Sequence, residues 1–385
     1  MIAQIININS QFVFEKYKKK YSIFKDLRYK GYFGIEIRNS SKEVASELHR
    51  HILKNETFSY FFKAEKGIDL FTLGTFEQIL DLASSVKSNI AEDIGHLISN
   101  VIMNYLSYSD ISFIKKTNEV SLLMGILNVT PDSFSDGGKY LQKSEAIEHI
   151  EKLIADKADI IDIGGESSRP NAESIDAETE LERLMPVLEN LSSYNSAIFS
   201  IDTTKSIVAE EAIKQGIKIV NDISGFTNDP KMKDVVKKYN SICVVMHMKG
   251  NPKTMQLNPY YDDVVSEVYD FLFLQVKKLK SYGINKIIID PGIGFGKSLA
   301  HNYELINRLE EFKGIGCPIL IGLSRKSLIG NVFNIPVNER DLPTAILETI
   351  SISKGAKIIR THNVQNAQYV RKLIDLTSNP NIVYD

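Results

Sequence analysis

Two cysteines, Cys243 and Cys317, are all that 385 residues contain, and each lies inside an apolar run, SICVVMH and GCPILIG. A pair so placed reads as buried thiols and excludes a disulfide framework or a cysteine metal cluster. A cytoplasmic location is the default expectation. Cationic excess is missing as well: 46 Lys and Arg stand against 48 Asp and Glu, a net charge of −2. That balance argues against a general nucleic-acid or membrane-surface role. No apolar run approaches the roughly 18 residues of a membrane span. The start, MIAQIININS, has neither the basic flank nor the long apolar stretch of a secretory signal. What is present is 43% hydrophobic and 24% charged residues, the composition of a globular protein with a sizeable core.

The length exceeds one average domain, although an α/β barrel alone can take about 250 residues. The character of the chain changes near Lys115 to Asn118. Residues 1–116 carry strand-like pieces (IAQIINI, GYFGIEIR, FSYFFKA, DLFTLG) around helical stretches at 41–53, 76–86 and 90–106. They read as a small α+β domain of unassigned role. His49, His51 and His96 are scattered there or lie on helical patterns, and form no catalytic constellation.

Residues 117–385 read differently. Apolar, β-rich runs alternate with amphipathic helical patterns such as 144–157 and 262–283. The runs are SLLMGIL (121–127), DIIDIG (159–164), AIFSID (197–202), IKIVND (217–222), ICVVMH (242–247), KIIIDP (286–291), PILIGL (318–323) and KIIRTH (357–362). Eight such units predict a (β/α)8 TIM barrel, with a doubly wound open sheet as the alternative.

Nearly every run ends in a polar residue: Asn128, Asp162 with Glu166, Asp202, Asn221, His247, Asp290, Ser324, and Arg360 with His362. A single strand-end Asp is often a cap or turn residue. Eight in register on the C-terminal face of a barrel point to one concave site. Asp202, Asn221 and Asp290 supply acceptors and an amide, while Arg169, Arg325, Lys326 and Arg360 supply cations. Asp290 after KIII suits a flat heterocycle with adjacent N–H donors, unless it pairs with a barrel arginine instead. DPGIGFGKS (290–298) is not a phosphate loop, because Pro291 stands where the first glycine would be required. Its glycines form a tight loop that brings backbone and Phe295 toward a planar ligand. His247 has no partner His at i+4 and reads as structural rather than a metal ligand. Arg360 and His362, at i and i+2 on the last strand, are placed to address one anion. Asn128, on the neighbouring first strand, offers an oxygen to Mg2+ beside a diphosphate.

The most informative segment is MGILNVTPDSFSDGG (124–138), a buried strand that delivers an amide, hydroxyls and carboxylates to one point. With DIGGESSRP (162–170), SIDTTKS (200–206), NDISG (221–225), MHMKGNPKTMQ (246–256), DPGIGFGK (290–297), SRKS (324–327) and IRTH (359–362), it resembles the dihydropteroate synthase family of pterin-binding barrels, the target of sulfonamides. The resemblance spans roughly 121–375. It implies condensation of 6-hydroxymethyl-7,8-dihydropterin diphosphate with 4-aminobenzoate, releasing diphosphate, in folate biosynthesis. It implies that Asp202, Asn221, Asp290 and Lys326 hold the pterin, with Phe295 beside them. Ser168, Asn128 (with Mg2+), Arg360, Thr361 and His362 would bind the diphosphate. Phe134, Pro170 and Ser327 would line the aminobenzoate pocket, and Arg169 would order the loops. Asp136, Lys326, Arg360 and His362 would act in catalysis. A homodimer is also implied.

This sequence departs from the family pattern at Ser168 (commonly Thr), Asn171 (commonly Gly) and Asn363 (commonly Asp), the last removing a carboxylate beside His362. Two alternatives use a similar barrel: a pterin-binding methyltransferase and a noncatalytic pterin-binding paralogue. A methyltransferase would not need the PDSFSDGG loop, SRKS or the Arg360–His362 pair, and a noncatalytic paralogue would be expected to lose loop residues, whereas Asn128, Asp136, Arg169 and Lys326 remain.

Overall fold

The computed structural model describes residues 1–21, 31–53, 58–64, 67–89, 92–107, 110–117, 119–130, 139–167, 173–251 and 254–381. The chain forms two compact units, Met1–Ser109 with Glu310–Gly316, and Asp110–Leu309 with Cys317–Asp385.

The first unit is a four-stranded sheet made of β1 (Ile2–Ile8), β2 (Tyr32–Ser40), β3 (Phe58–Ala64) and β4 (Gly67–Gly74), in the order β1-β2-β4-β3. All three pairings are antiparallel. Its helices are α1 (Gln11–Tyr21), α2 (Lys42–Leu53), α3 (Phe76–Asn89) and α4 (Glu92–Leu106). Alternation along the strands sends side chains to two opposite faces, and both are buried. Ala3, Ile5, Ile35, Ile37 and Leu70 pack with Leu48, Ile79, Leu82, Ile98 and Ile102. On the other face Ile6, Ile8, Phe71 and Leu73 pack with Val13, Phe14, Tyr17 and Tyr21. Helix α1, absent from the sequence expectations, owes its seat to those aromatics at i, i+3 and i+7. The late segment Glu310–Gly316 is built into this unit: Gln4 Nε2 donates to Glu311 Oε2 at 2.8 Å, and Asn7 Nδ2 to Glu310 Oε1 at 2.8 Å.

The second unit is a closed parallel barrel. Its strands are β5 (Leu122–Asn128), β6 (Ile160–Gly164), β7 (Ile198–Asp202), β8 (Ile219–Asp222), β9 (Ile242–Met246), β10 (Ile287–Asp290), β11 (Ile319–Gly322) and β12 (Ala356–Thr361). Each predicted run supplies one strand. Around them lie α5 (Lys139–Ala155), α6 (Ala177–Leu188), α7 (Ser206–Lys214), α8 (Met232–Tyr239), α9 (Val264–Ser281), α10 (Leu299–Asn307), α11 (Ser327–Phe333), α12 (Asp341–Ser353) and α13 (Val364–Ser378). Parallel strands need such crossovers, and covering both faces makes the strands continuously apolar. Caps set the helix starts: Asp263 accepts from the backbone of Val265 and Ser266, each at 3.1 Å, to open α9.

The barrel interior is divided along its axis. Leu122, Met124, Ile160, Ile219, Ile242, Val244, Ile288, Leu320 and Ile358 fill the lower part, and Ile111, Phe113 and Ile114 pack against them. That packing is why the barrel unit begins at Asp110, earlier than the compositional change at 116/117: the linking segment closes the bottom of the barrel. The polar strand ends are left at the opposite mouth. Among the described residues, no helix is long and apolar enough to cross a membrane.

Candidate active site at the barrel mouth

Strand register alone assembles the first part of the site. Asn128 pairs with Gly164, Gly164 with Asp202, and Asp202 with Asn221, so four consecutive strands end on one row. A Cβ at Gly164 would stand 3.5 Å from Asp202 Cβ and 3.8 Å from Asn128 Oδ1, in ordinary contact with both. Asp162, two residues earlier on β6, shares the inward orientation of Gly164 and is fully buried.

Arg360 crosses to this row from β12. Its Nε donates to Asp162 Oδ2 at 2.7 Å and its Nη2 to Asp202 Oδ2 at 2.8 Å. Asn221 Nδ2 donates to the same Asp162 oxygen at 2.9 Å. Burial raises the Asp202 carboxyl well above the usual range; Arg360 opposes this and neighbouring Asp162 adds to it. Two carboxylates around one guanidinium thus form a polar floor that is only partly neutralised.

The opposite wall comes from β10 and β11. Asp290 is buried, and its Oδ1 accepts from Gly292 N at 2.7 Å. Burial raises this carboxyl, with Lys326 the principal opposing charge. Among the described residues no ion pair engages Asp290, so the arginine-paired alternative does not hold. Lys326 is the N-cap residue of α11; its Nζ donates to Ile293 O and lies 4.5 Å from the centroid of the Phe295 ring. Burial lowers its pKa to about 8, against the opposing pull of Asp290. Ser327 follows it, exposed at the first turn of α11.

The third wall is the end of β12. Thr361 is buried. His362 Nδ1 lies 2.9 Å from Ser324 Oγ, which also accepts from His362 N at 3.1 Å. Asn363 opens α13, accepting from Asn366 N at 3.0 Å, and donates to Asp341 Oδ2 at 3.0 Å. Asp341 in turn binds Arg325 through both oxygens, at 2.6 and 2.8 Å. A carboxylate therefore stands close behind position 363 even though Asn363 lacks one.

Arg360 and His362 have different protein partners: the guanidinium reaches across to Asp162 and Asp202, while the imidazole is held by Ser324. Asn128, Asp202, Asn221, Asp290, Phe295, Lys326, Arg360, Thr361 and His362 lie at strand ends or in the loops that follow them, and Ser327 is the first residue of α11. Phe134, Asp136, Ser168, Arg169 and Pro170 lie outside the described residues. Sequence reasoning noted Asp162 only as a strand-end residue, although its position two before Gly164 was the available signal. Lys297, which the sequence shows only within DPGIGFGKS, is 2% exposed, and its Nζ lies 3.0 Å from His247 Nδ1. Among the described residues, no group of three or more His, Cys, Asp or Glu could hold a metal ion. The donor set at Asn128 is a single partly exposed amide oxygen. That fits a Mg2+ that keeps waters and takes its other ligands from a substrate phosphate.

Comparison with known proteins agrees with this geometry. Residues 124–362 match the family described as "Pterin binding enzyme". Dihydropteroate synthase of Haemophilus influenzae is 44% identical over 262 residues, covering 68% of this chain and 95% of that protein. Among solved structures, Xanthomonas albilineans dihydropteroate synthase with 4-aminobenzoic acid superposes with a TM-score of 0.64 at 36% identity, covering 67% of this chain and 93% of that one. The same enzyme in complex with 7,8-dihydropteroate gives a TM-score of 0.61 at 34% identity, covering 67% and 94%. With these matches and this barrel mouth, the chain belongs to the pterin-binding enzymes and, within them, to the dihydropteroate synthase family.

Proposed function

We propose that this chain joins 6-hydroxymethyl-7,8-dihydropterin diphosphate to 4-aminobenzoate, forming 7,8-dihydropteroate and diphosphate. The observation that carries the reading is the polar row Asn128–Gly164–Asp202–Asn221 facing buried Asp290 and half-buried Lys326. A flat heterocycle with N–H donors on one edge and a carbonyl on another matches that distribution of acceptors and cation. Asp290 would accept from the amino-pyrimidinone edge, and Lys326 would donate to the carbonyl oxygen. Asp202 and Asn221 would meet the remaining ring nitrogens, with Phe295 against the ring face.

The diphosphate would lie toward β12, between His362, the Thr361 backbone, Ser168 and the Nη1 edge of Arg360. Nothing in this arrangement needs a protein nucleophile. The C–O bond to the diphosphate breaks, and the electron pair leaves with the phosphate oxygen, where Arg360 and His362 would stabilise the growing charge. The aniline nitrogen then forms the C–N bond and gives up a proton. Asn128 would hold Mg2+, which would supply further neutralisation of the departing diphosphate. Asp136 would stabilise the positive charge left on the pterin methylene. Phe134, Pro170 and Ser327 would enclose 4-aminobenzoate, and Arg169 would order the loops around it.

Small molecules are the partners in this reading, with no nucleic acid and no membrane, in the cytoplasm. A homodimer is supported by apolar side chains exposed at helical spacing, Leu342, Ile346 and Ile350 on α12 and Tyr369, Leu373 and Leu376 on α13. Sedimentation of the full chain as a monomer at assay concentration would remove that part. The function itself is tested by incubating purified protein with dihydropterin diphosphate, 4-aminobenzoate and Mg2+. Dihydropteroate is expected; its absence across pH and metal conditions would sink the proposal.

A further inference from the structure

The turn after β10 is held by side chains at every carbonyl from Gly292 to Gly296. Lys297 Nζ reaches Gly292 O at 2.8 Å and Phe295 O at 2.9 Å. Lys326 Nζ donates to Ile293 O, Gln256 Nε2 to Gly294 O at 2.8 Å, and Tyr261 OH to Gly296 O at 2.8 Å. Among the described residues Lys297 ties the turn to the neighbouring strand end, because its Nζ also lies 3.2 Å from His247 O and 3.0 Å from His247 Nδ1. An ammonium at this point has three protons for four acceptors, three carbonyl oxygens and, in the Nε2–H tautomer, His247 Nδ1. Burial pushes Lys297 well below the usual lysine range, with Asp290 the principal opposing charge. Burial and the adjacent ammonium both push His247 toward the neutral form.

The glycines make this packing possible. Gly292 and Gly296 have φ of +68° and +66°, and a Cβ would stand 1.9 Å from His247 O at the first and 2.3 Å from Lys249 O at the second. The turn is therefore pressed against the end of β9, with the buried Lys297 side chain at its centre. Both contacts that hold the Lys326 ammonium, the Ile293 carbonyl and the Phe295 ring, belong to this turn.

We propose that Lys297 is a positioning residue for the pterin end of the reaction. It sets Phe295 and the Ile293 carbonyl, and through them Lys326, against the ring that Asp290 binds. This rests on the synthase reading above. Misplacing such groups by about 1 Å is enough to cost up to about 100-fold. The structure assigns no comparable link from Lys297 to Ser327 or to the end of β12, so the effect should be confined to the pterin.

The test is calorimetric binding of 6-hydroxymethyl-7,8-dihydropterin to the full chain, alongside steady-state kinetics. Lys297→Met should weaken pterin binding by roughly 10- to 100-fold and raise KM for the pterin diphosphate in step, with KM for 4-aminobenzoate changed less than about two-fold. His247→Asn, whose Oδ1 can replace Nδ1 as acceptor, should stay within about three-fold of the parent, whereas His247→Leu should lose about ten-fold or more. Pterin affinity unchanged in Lys297→Met, a parallel rise of both KM values, or equal behaviour of the two His247 variants would overturn the proposal. Should Lys297→Met fail to fold, the His247 pair decides. A parent protein that binds the pterin yet forms no dihydropteroate would defeat the synthase reading alone, and the binding comparison would still judge Lys297.

Discussion

Replacing Arg360 by methionine keeps an apolar stem of similar reach and removes the charge that holds the barrel floor together. The guanidinium lies 2.7 Å from Asp162 Oδ2 and 2.8 Å from Asp202 Oδ2, with side-chain exposures of 20%, 0% and 14% for Arg360, Asp162 and Asp202. Removing one partner of a buried ion pair costs about 3–5 kcal/mol. The partial opening to solvent places this case near the lower figure. The orphaned carboxylates can recover part of the loss by taking up a proton. Asp202 is already raised by burial, and Arg360 is the principal charge lowering it, so its pKa climbs further in the variant. A carboxyl raised above its unfolded value contributes stability at pH below that value and loses it as pH rises through the folded pKa. The deficit of Arg360→Met should therefore be larger at about pH 8 than at about pH 5. Urea unfolding followed by circular dichroism at the two pH values measures it. Combining Arg360→Met with Asp162→Asn should recover roughly 1–3 kcal/mol relative to the sum of the single changes. A deficit independent of pH together with strict additivity would refute the assignment of these carboxylates as the partners of Arg360.

Gly292→Ala should lower the melting temperature sharply. It combines an L side chain at φ +68° with a Cβ 1.9 Å from His247 O, and the conformational term alone costs about 1–2 kcal/mol. Differential scanning calorimetry should show no comparable loss for Gly322→Ala, where the nearest atom would be 3.8 Å away. Glu348 is buried, and burial raises its carboxyl to about 8. Its contribution is favourable at acid pH and is lost as pH rises from the unfolded value of about 4.5 through about 8, so Glu348→Gln should gain more in melting temperature at about pH 8 than at about pH 4.5. Lys326, lowered to about 8 by burial, should lose its proton as pH rises past that value. The kcat/KM profile for the pterin diphosphate should fall on that side, and in Lys326→Arg the fall should disappear because a guanidinium stays charged.

Local pattern made most of the architecture legible. The apolar runs at 121–127, 159–164 and 286–291 become β5, β6 and β10 because a strand buried on both faces has no other way to appear in sequence. The strand-end residues were legible for the same reason: parallel strands in a closed barrel bring their C-terminal ends to one face wherever the exact register falls. Position 363 shows where that kind of reading stops. Asn363 lacks the carboxylate common at this position, yet Asp341 stands behind it, carried there on α12. No spacing within IRTHN could have revealed that.

By itself, then, the sequence determined the barrel, its small α+β companion, the polar strand ends and the family to which they belong. These follow from periodicity, local breakers and motif order, which act over a few residues. Tertiary structure alone decided which groups meet. It turned Arg360 onto Asp162 and Asp202, 198 and 158 residues away. It also put Lys297 under the turn at His247, and built Glu310–Gly316 into the first unit. Such pairings depend on burial and on competition among charges in a low-dielectric interior, and neither quantity exists until the barrel has closed.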